Sequence, residues 1–223
     1  MMRCGRGRRS WLRVFFKWLI LIMLVAALVC FRLADEIGDE FAHLSRLEIV
    51  AVIDGDTMRL KGGDKLRLAN IDTPEQGEPY YEEATRHLER LVVNKRARVQ
   101  LAAQTRDKYG RLLGSVFVDS ISVSESIVRH GLAYVFLFQS TDLDRPEIKR
   151  LLEAQRQAMT DKVGLWSLRH EPEPYYVARA GSFRFHRRMC PVIRKVPIDE
   201  CRLFRTREEA LYEGLSPCRR CRP

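Results

Sequence analysis

Between Leu47 and Val118 the apolar residues change period twice, and that change restricts the fold more than any other feature of the chain. Leu47–Ile53 (LEIVAVI) and Lys65–Ile71 (KLRLANI) are β-rich, and Thr57–Leu60 alternates, with Gly62-Gly63 as the turn that follows it. Such stretches belong to short strands with one buried face. Tyr80–Val93 then sets Ala84, Leu88, Leu91 and Val92 at helical spacing, with Glu82 and Glu83 at the end where the helix macrodipole favours acids. The strand pattern returns at Arg96–Leu101 and Leu112–Val118, joined by a polar turn that contains Asp107–Arg111. Two more helices follow. Ser124 can cap a short one that stops at Gly131; Asp144 can cap a longer one, opened by Pro146 and closed by Gly164, with the apolar face Ile148, Leu151, Leu152 and Met159. Five strands, a helix after the third and about three helices in all predict an α+β, mainly β, domain: a small closed barrel with helices packed on it.

What flanks this region is different. The formal net charge of +10 is carried by the ends: Lys and Arg exceed Asp and Glu by seven in residues 1–34 and by six in residues 182–223, and fall short by three between them. Global basicity is therefore no argument that the central domain binds nucleic acid. Arg3, Arg6, Arg8, Arg9 and Arg13 precede Val14–Phe31, which is apolar except for Lys17, and Asp35, Glu36, Asp39 and Glu40 follow. A run of about eighteen such residues is the length of one transmembrane helix. Residues 1–34 are expected to be a basic tail and single-pass anchor, N-terminus cytoplasmic, with the rest of the chain periplasmic or extracellular. Cleavage as a signal peptide, followed by secretion, is the alternative, although no small-x-small site follows the run. Residues 35–46 read as a stalk, 47–168 as the barrel domain, 169–182 as a linker with alternating prolines, and 183–223 as a second unit too small to fold on apolar burial alone.

The residues that most need a chemical reason are Asp54 and Asp56 at a strand end, then Arg67, then Asp72-Thr73-Pro74-Glu75, then Arg111. Opening a phosphodiester builds negative charge on phosphorus oxygens, so a hydrolase needs a metal ion or guanidinium donors there, and a base that activates water. Two carboxylates from adjacent strands can hold a hard cation, two arginines can grip the phosphate, and a further glutamate can align water. Taken singly, each is more often a turn or a solvated surface residue. Their joint spacing is what argues for catalysis.

VIDGDTMRL (Val52–Leu60), LRLANIDTPE (Leu66–Glu75) and DKYGR (Asp107–Arg111), followed by GLA at Gly131–Ala133 and GLWS at Gly164–Ser167, resemble in order and spacing the signature blocks of the staphylococcal nuclease (thermonuclease) family. The resemblance covers Leu47–Leu168. It implies an oligonucleotide/oligosaccharide-binding (OB) barrel and calcium-dependent endonuclease cleavage of DNA or RNA at the P–O5′ bond, leaving 3′-phosphates. In that reading Asp56, Asp72 and the Thr73 carbonyl ligate calcium, Glu75 orients or deprotonates water, Arg67 and Arg111 bind the phosphate, and Lys108 and Tyr109 border the nucleotide. Asp54 falls nearer the second layer. One departure stands out: the family's later aromatic pair aligns with Leu137 and Gln139, so Tyr134, Phe136 or Phe138 must substitute. A non-catalytic, membrane-anchored nucleic-acid-binding module is the alternative function; the retained Glu75 and Arg111, which binding alone does not require, argue against it. No protein partner is inferable.

His186-x3-Cys190 and Cys218-x2-Cys221 form two close ligand pairs suited to a tetrahedral zinc that would supply the missing folding energy. In an oxidising compartment Cys218 and Cys221 could instead join disulfides. Cys201, between the pairs, reads as a small buried residue. Phe185–Pro223 resembles the small zinc domain of the Ada DNA-repair proteins, with His186 where that family has its methyl-accepting cysteine, so methyl acceptance is not expected. The resemblance leaves a structural zinc unit or a DNA-contacting one, in which Arg187, Arg188, Arg219, Arg220 and Arg222 either meet phosphates or form a solvated face.

Overall fold

The computed structural model describes residues 17–28, 45–138 and 140–223. Residues 17–28 form a helix, α1, in which every residue is exposed. Among the described residues no helix is long and apolar enough to cross a membrane. The ends of the apolar run Val14–Phe31, the basic tail, most of the stalk and Gln139 lie outside the described residues.

Ser45–Pro223 is one compact unit. It begins with β1 (Ser45–Arg46), β2 (Ile49–Val52), β3 (Thr57–Leu60), β4 (Lys65–Leu68) and β5 (Ile71–Asp72), followed by helix α2 (Tyr81–Val92). Then come β6 (Ala97–Arg106), β7 (Leu112–Val118), β8 (Ile121–Ser122), α3 (Val123–Arg129), β9 (Tyr134–Val135) and α4 (Pro146–Asp161). The main sheet runs β1-β6-β7-β4-β3-β2, with β8 on β7; β4 and β7 are parallel and the other pairs antiparallel. It curls into a half-barrel of OB type rather than the closed barrel the sequence predicts. The edge strands β1 and β2, two and four residues long, leave the last seam without a ladder among the described residues.

Burial follows the alternation. Met58, Leu66, Leu68 and Ile71 are fully buried, and Ala84, Leu88 and Val92 of α2 close over them together with Ile127 of α3 and Ile148 of α4. Three details differ from the sequence reading. KLRLANI is not one strand: Asn70, at φ 62°, turns the chain after β4, and β5 pairs with β9 in a ladder of its own. The strand expected at Arg96–Leu101 runs on to Arg106, where exposed residues carry no apolar signal and a register shift separates Leu101 from Arg106. The caps also move. Ser122, not Ser124, accepts from Glu125 N at the start of α3, and Arg145, not Asp144, precedes α4 because Ser140–Asp144 winds a 3-10 turn first. Lys162, at φ 53°, ends α4, and Gly164 opens a second 3-10 turn, with Leu165 N donating to Gly131 O at 2.8 Å.

The C-terminal unit has its own sheet: β10 (Tyr176–Arg179), β11 (Arg184–Arg187), β12 (Cys201–Phe204), helix α5 (Arg207–Tyr212) and β13 (Ser216–Pro217), in the order β12-β10-β11-β13. Tyr176–Arg179 lies in the stretch that reads as linker, yet it is an inner strand with Tyr176, Val177 and Ala178 buried. The unit is bolted to the half-barrel. Buried Gln155 of α4 accepts from Val135 N at 2.8 Å and donates to Leu211 O at 3.0 Å. Buried Arg207 donates to Tyr134 Oη at 2.9 Å and to Pro223 O at 2.8 Å. The missing Cβ of Gly214 lets Leu137 and Leu152 close against the α5–β13 turn.

Candidate active site and Cys/His cluster

The β2–β3 turn, the end of β4 and β5 converge because of two local features. A Cβ on Gly55 would stand 2.7 Å from Ala84 Cβ and 2.9 Å from Thr73 Oγ1, so only glycine lets the Asp54-Gly55-Asp56 turn press against α2 and the Asp72–Thr73 segment. The left-handed Asn70 then sends Asp72 back beside β4, which carries Arg67.

Arg67 is the hinge of the site. Its Nη2 lies 3.0 Å from Asp56 Oδ2 and 2.9 Å from Asp72 Oδ1, while Nη1 donates to the carbonyls of Leu68 and Ile71 at 2.9 and 3.0 Å. Thr57 Oγ1 donates to Asp56 Oδ1 at 2.9 Å and accepts from Arg111 Nη1 at 3.3 Å, which ties the second arginine to the same carboxylate. Arg111 is itself aimed by Asp107, through Nε at 2.8 Å and Nη2 at 2.7 Å. Thr73 N reaches Asp56 Oδ2 at 3.4 Å, and Asp54 Oδ1 accepts from Asp56 N at 3.0 Å. Asp56, Asp72, Arg67 and Arg111 thus belong to one connected cluster, and Asp54 supports the turn from behind.

Burial pushes the Asp56 carboxyl up to about 6; Arg67 opposes the rise, and Asp54 and Asp72 reinforce it. The rise is chiefly the cost of burying a carboxylate, and hard oxygen donors of this kind suit a hard cation. Glu75 is exposed beyond Asp72, with its backbone N donating to Glu78 Oε2 at 2.8 Å. Tyr109 is 72% exposed, with Lys108 Nζ 5.0 Å and Arg111 Cζ 5.5 Å from its ring centroid. Of the substitutes for the aromatic pair, Tyr134 is taken up by Arg207, whereas Phe136 and Phe138 pack edge to face at 4.8 Å with Phe138 69% exposed. Leu137 is buried.

The family description "Staphylococcal nuclease homologue" matches residues 65–168. An uncharacterised endonuclease of Escherichia coli O157:H7 is 36% identical over 135 residues, covering 59% of this chain and 82% of that protein. The thermonuclease of Staphylococcus hyicus is 31% identical, over 56% of this chain and 78% of its own. The chain belongs to the staphylococcal nuclease family. It is a hydrolytic nuclease acting on nucleic acid. The micrococcal nuclease of Shigella flexneri, 29% identical over 60% of this chain and 81% of its own, is a further relative.

In this nuclease a second cluster lies in the C-terminal unit. One ligand atom each from His186, Cys190, Cys218 and Cys221 lies within 4.8 Å of the others, the first three residues being buried. His186 Nδ1 is buried without a hydrogen-bond partner, and burial, with Cys190 and Cys218 adding to it, pushes the Cys221 thiol up to about 12. Arg187 N points at Cys221 Sγ from 3.4 Å. An orphaned imidazole nitrogen and three crowded sulfurs fit a tetrahedral soft-ligand metal. Cys201 is not in the cluster but packs beside it, and all four described cysteines are free thiols.

Sequence reasoning did not bring these two clusters together, and the structure does. Arg219, between Cys218 and Cys221, donates through Nε to Asp72 Oδ2 at 3.1 Å, and its two terminal nitrogens pair with Asp72 Oδ1 and Glu75 Oε1. Arg222 Nη2 lies 2.9 Å from Glu78 Oε1. Arg187 and Arg188 turn away, to Glu173 and to the carbonyls of Ile193 and Arg194.

Proposed function

We propose that this nuclease cleaves DNA or RNA by calcium-dependent hydrolysis of the P–O5′ bond, leaving 3′-phosphate ends. Asp56, Asp72 and the Thr73 carbonyl would hold the cation, with Arg67, Glu75 and Arg111 around it. The observation that carries the reading is the single guanidinium of Arg67 shared by the carboxylates of Asp56 and Asp72, with Arg111 joined to them through Thr57. The carboxylate oxygens are hard donors in a buried, acid-rich setting, which suits calcium. Bound there, calcium supplies charge neutralisation and polarisation of a phosphoryl oxygen.

The protein groups do the rest. Arg67 and Arg111 present planar forks that match two phosphate oxygens and stay charged throughout. Glu75 is exposed enough to meet water, take its proton and leave hydroxide to attack phosphorus in line with O5′, which departs as the P–O5′ bond breaks and takes a proton from solvent. Tyr109 and Lys108 border the nucleotide, and exposed Phe138 offers the stacking face that Leu137 and Gln139 do not.

In the same reading, His186, Cys190, Cys218 and Cys221 hold a structural zinc, supported by their mutual distances and the unpaired His186 Nδ1. The apolar run around α1 anchors the enzyme with its catalytic domain beyond the membrane; exposed Trp18, Ile22, Met23 and Leu24 support this. Membrane fractionation tests the anchor: the full chain is expected to need detergent for release, and recovery in the soluble fraction would contradict it.

The activity test is cleavage of denatured DNA and of RNA by the full chain, with calcium or with a chelator. Calcium-dependent products ending in 3′-phosphate are expected. Equal cleavage in both conditions, or products ending in 5′-phosphate, would refute the reading.

A further inference from the structure

We propose that Arg219 is a third phosphate-binding guanidinium of the nuclease site, carried into it by the Cys218–Cys221 loop and gripping the substrate beside Arg67. The proposal rests on the calcium-dependent reading above and adds to it a residue from outside the half-barrel. The C-terminal unit thereby becomes part of the active site.

Position comes first. Arg67 and Arg219 approach Asp72 from two elements and donate through their Nη2 atoms to the same oxygen, Oδ1. Two guanidiniums that converge on one anionic oxygen are spaced to converge on a non-bridging phosphate oxygen, which carries the same kind of charge and accepts in the same way. Arg219 also holds Asp72 Oδ2 and Glu75 Oε1. A cation held by Asp72 would compete for the Asp72 oxygens and repel the guanidinium, whose side chain is 50% exposed. The nearest anion it can then meet is the phosphodiester lying on that cation.

Charge gives the same answer. Asp54, Asp56, Asp72 and Glu75 contribute four negative charges and Arg67, Arg184 and Arg219 three positive ones, Arg111 being balanced by Asp107. A divalent cation and a singly charged phosphodiester bring that set to neutrality. Without Arg219 the loaded site would be left with a net negative charge, just where hydrolysis adds more.

The loop is built to hold this residue in place. Cys218 and Cys221 both belong to the Cys/His cluster, Cys218 N donates to Phe185 O at 3.0 Å, and Arg222 N returns to Cys218 O at 2.9 Å. Arg222 adds a second tie across the seam, to Glu78. The hydrogen bonds of Arg219 engage Asp72 and Glu75 and leave Asp56 and Arg111 untouched.

The test uses the full chain with calcium present. Arg219→Ala is compared with wild type and with Arg202→Ala, which removes the same charge from β12, at the far edge of the same sheet. Arg219→Ala should raise KM for single-stranded DNA by about ten- to a hundredfold, the scale of a lost charge-assisted contact. In a Glu75→Gln background that binds without cutting, it should make the slope of log K against log salt shallower by about 0.7. Arg202→Ala should change neither. Arg219→Lys should recover part of the binding. An active wild type with Arg219→Ala unchanged in KM and slope overturns the inference alone; faster cleavage by Arg219→Ala overturns it by making the residue a block. A wild type with no calcium-dependent cleavage or binding removes the calcium reading and the inference together.

Discussion

The half-barrel and the C-terminal unit are stabilised in different ways. The half-barrel buries Met58, Leu66, Leu68, Ile71 and Leu88 completely in one continuous core. The C-terminal unit rests on two small clusters, one around Phe185, Phe204 and Leu211, the other around Val177, Ile193 and two of the four metal-type ligands. The first can fold on the hydrophobic effect; the second leans on the surface of α4 and, in the proposed reading, on zinc ligation. Yet both present charged groups to the same carboxylate, Asp72: Arg67 arrives on a strand of the core, Arg219 on a loop between two cysteines. The difference teaches that rigidity at an active site can come from apolar packing or from ligation, and that the two kinds should fail under different insults.

The sharpest break falls on the core-borne groups. Arg67→Ala and Glu75→Gln should each lower kcat by about 10² to 10⁴ while the far-ultraviolet circular dichroism spectrum stays unchanged. Steady-state kinetics of the purified variants check this, and a loss below tenfold would detach these residues from the chemistry. Zinc removal should act on the other region only. A chelator selective for zinc over calcium is expected to release the Arg219 loop, bring cleavage down to the level of Arg219→Ala, and leave the half-barrel's unfolding transition in place; hydrogen exchange, resolved between residues 47–168 and 176–223, would show it.

The bond between the regions can be broken without touching either site. Gln155→Ala strands the buried Val135 N–H and the Leu211 carbonyl and should cost about 2–4 kcal/mol, read from denaturant unfolding. An effect under 0.5 kcal/mol would mean the units are not joined there.

The smallest effect is a pH dependence of the half-barrel alone. His87 is buried, with Nε2 3.0 Å from Ser126 Oγ, and burial lowers its pKa to about 4, with His130 and Arg90 pressing the same way. Because the unfolded chain binds this proton near pH 6.5 and the folded one only near 4, folding is penalised as pH falls through that window. A loss of about 1–2 kcal/mol between pH 7 and pH 4.5 is expected. His87→Gln should flatten that part of the profile; an unchanged slope would contradict the assignment.

The sequence made the half-barrel legible because its period switches sit in regular elements, and the acid and arginine blocks because they sit at the ends of those elements. It missed what long-range packing decides. Tyr176–Arg179 has prolines before it and no periodicity, so only its pairing with β11 and β12 makes it a strand. Ser122 and Ser124 are equally good caps on paper; the ladder between β7 and β8 selects the first. Lys65–Ile71 reads as one strand, but Asn70 turns the chain and β9 captures Ile71 and Asp72. Arg219 lies 147 residues from Asp72, and no local pattern joins them. The one available signal was an arginine pair inside a Cys-x2-Cys loop that ligation would hold in a fixed place.

Calorimetric titration of the zinc-loaded full chain with calcium, wild type against Asp72→Asn, separates the two regions in one experiment. A single calcium ion should bind to wild type and not to Asp72→Asn, with the zinc content of both unchanged. Calcium binding that survives Asp72→Asn, or that expels the zinc, would contradict a cation seat built on Asp56 and Asp72 in the half-barrel.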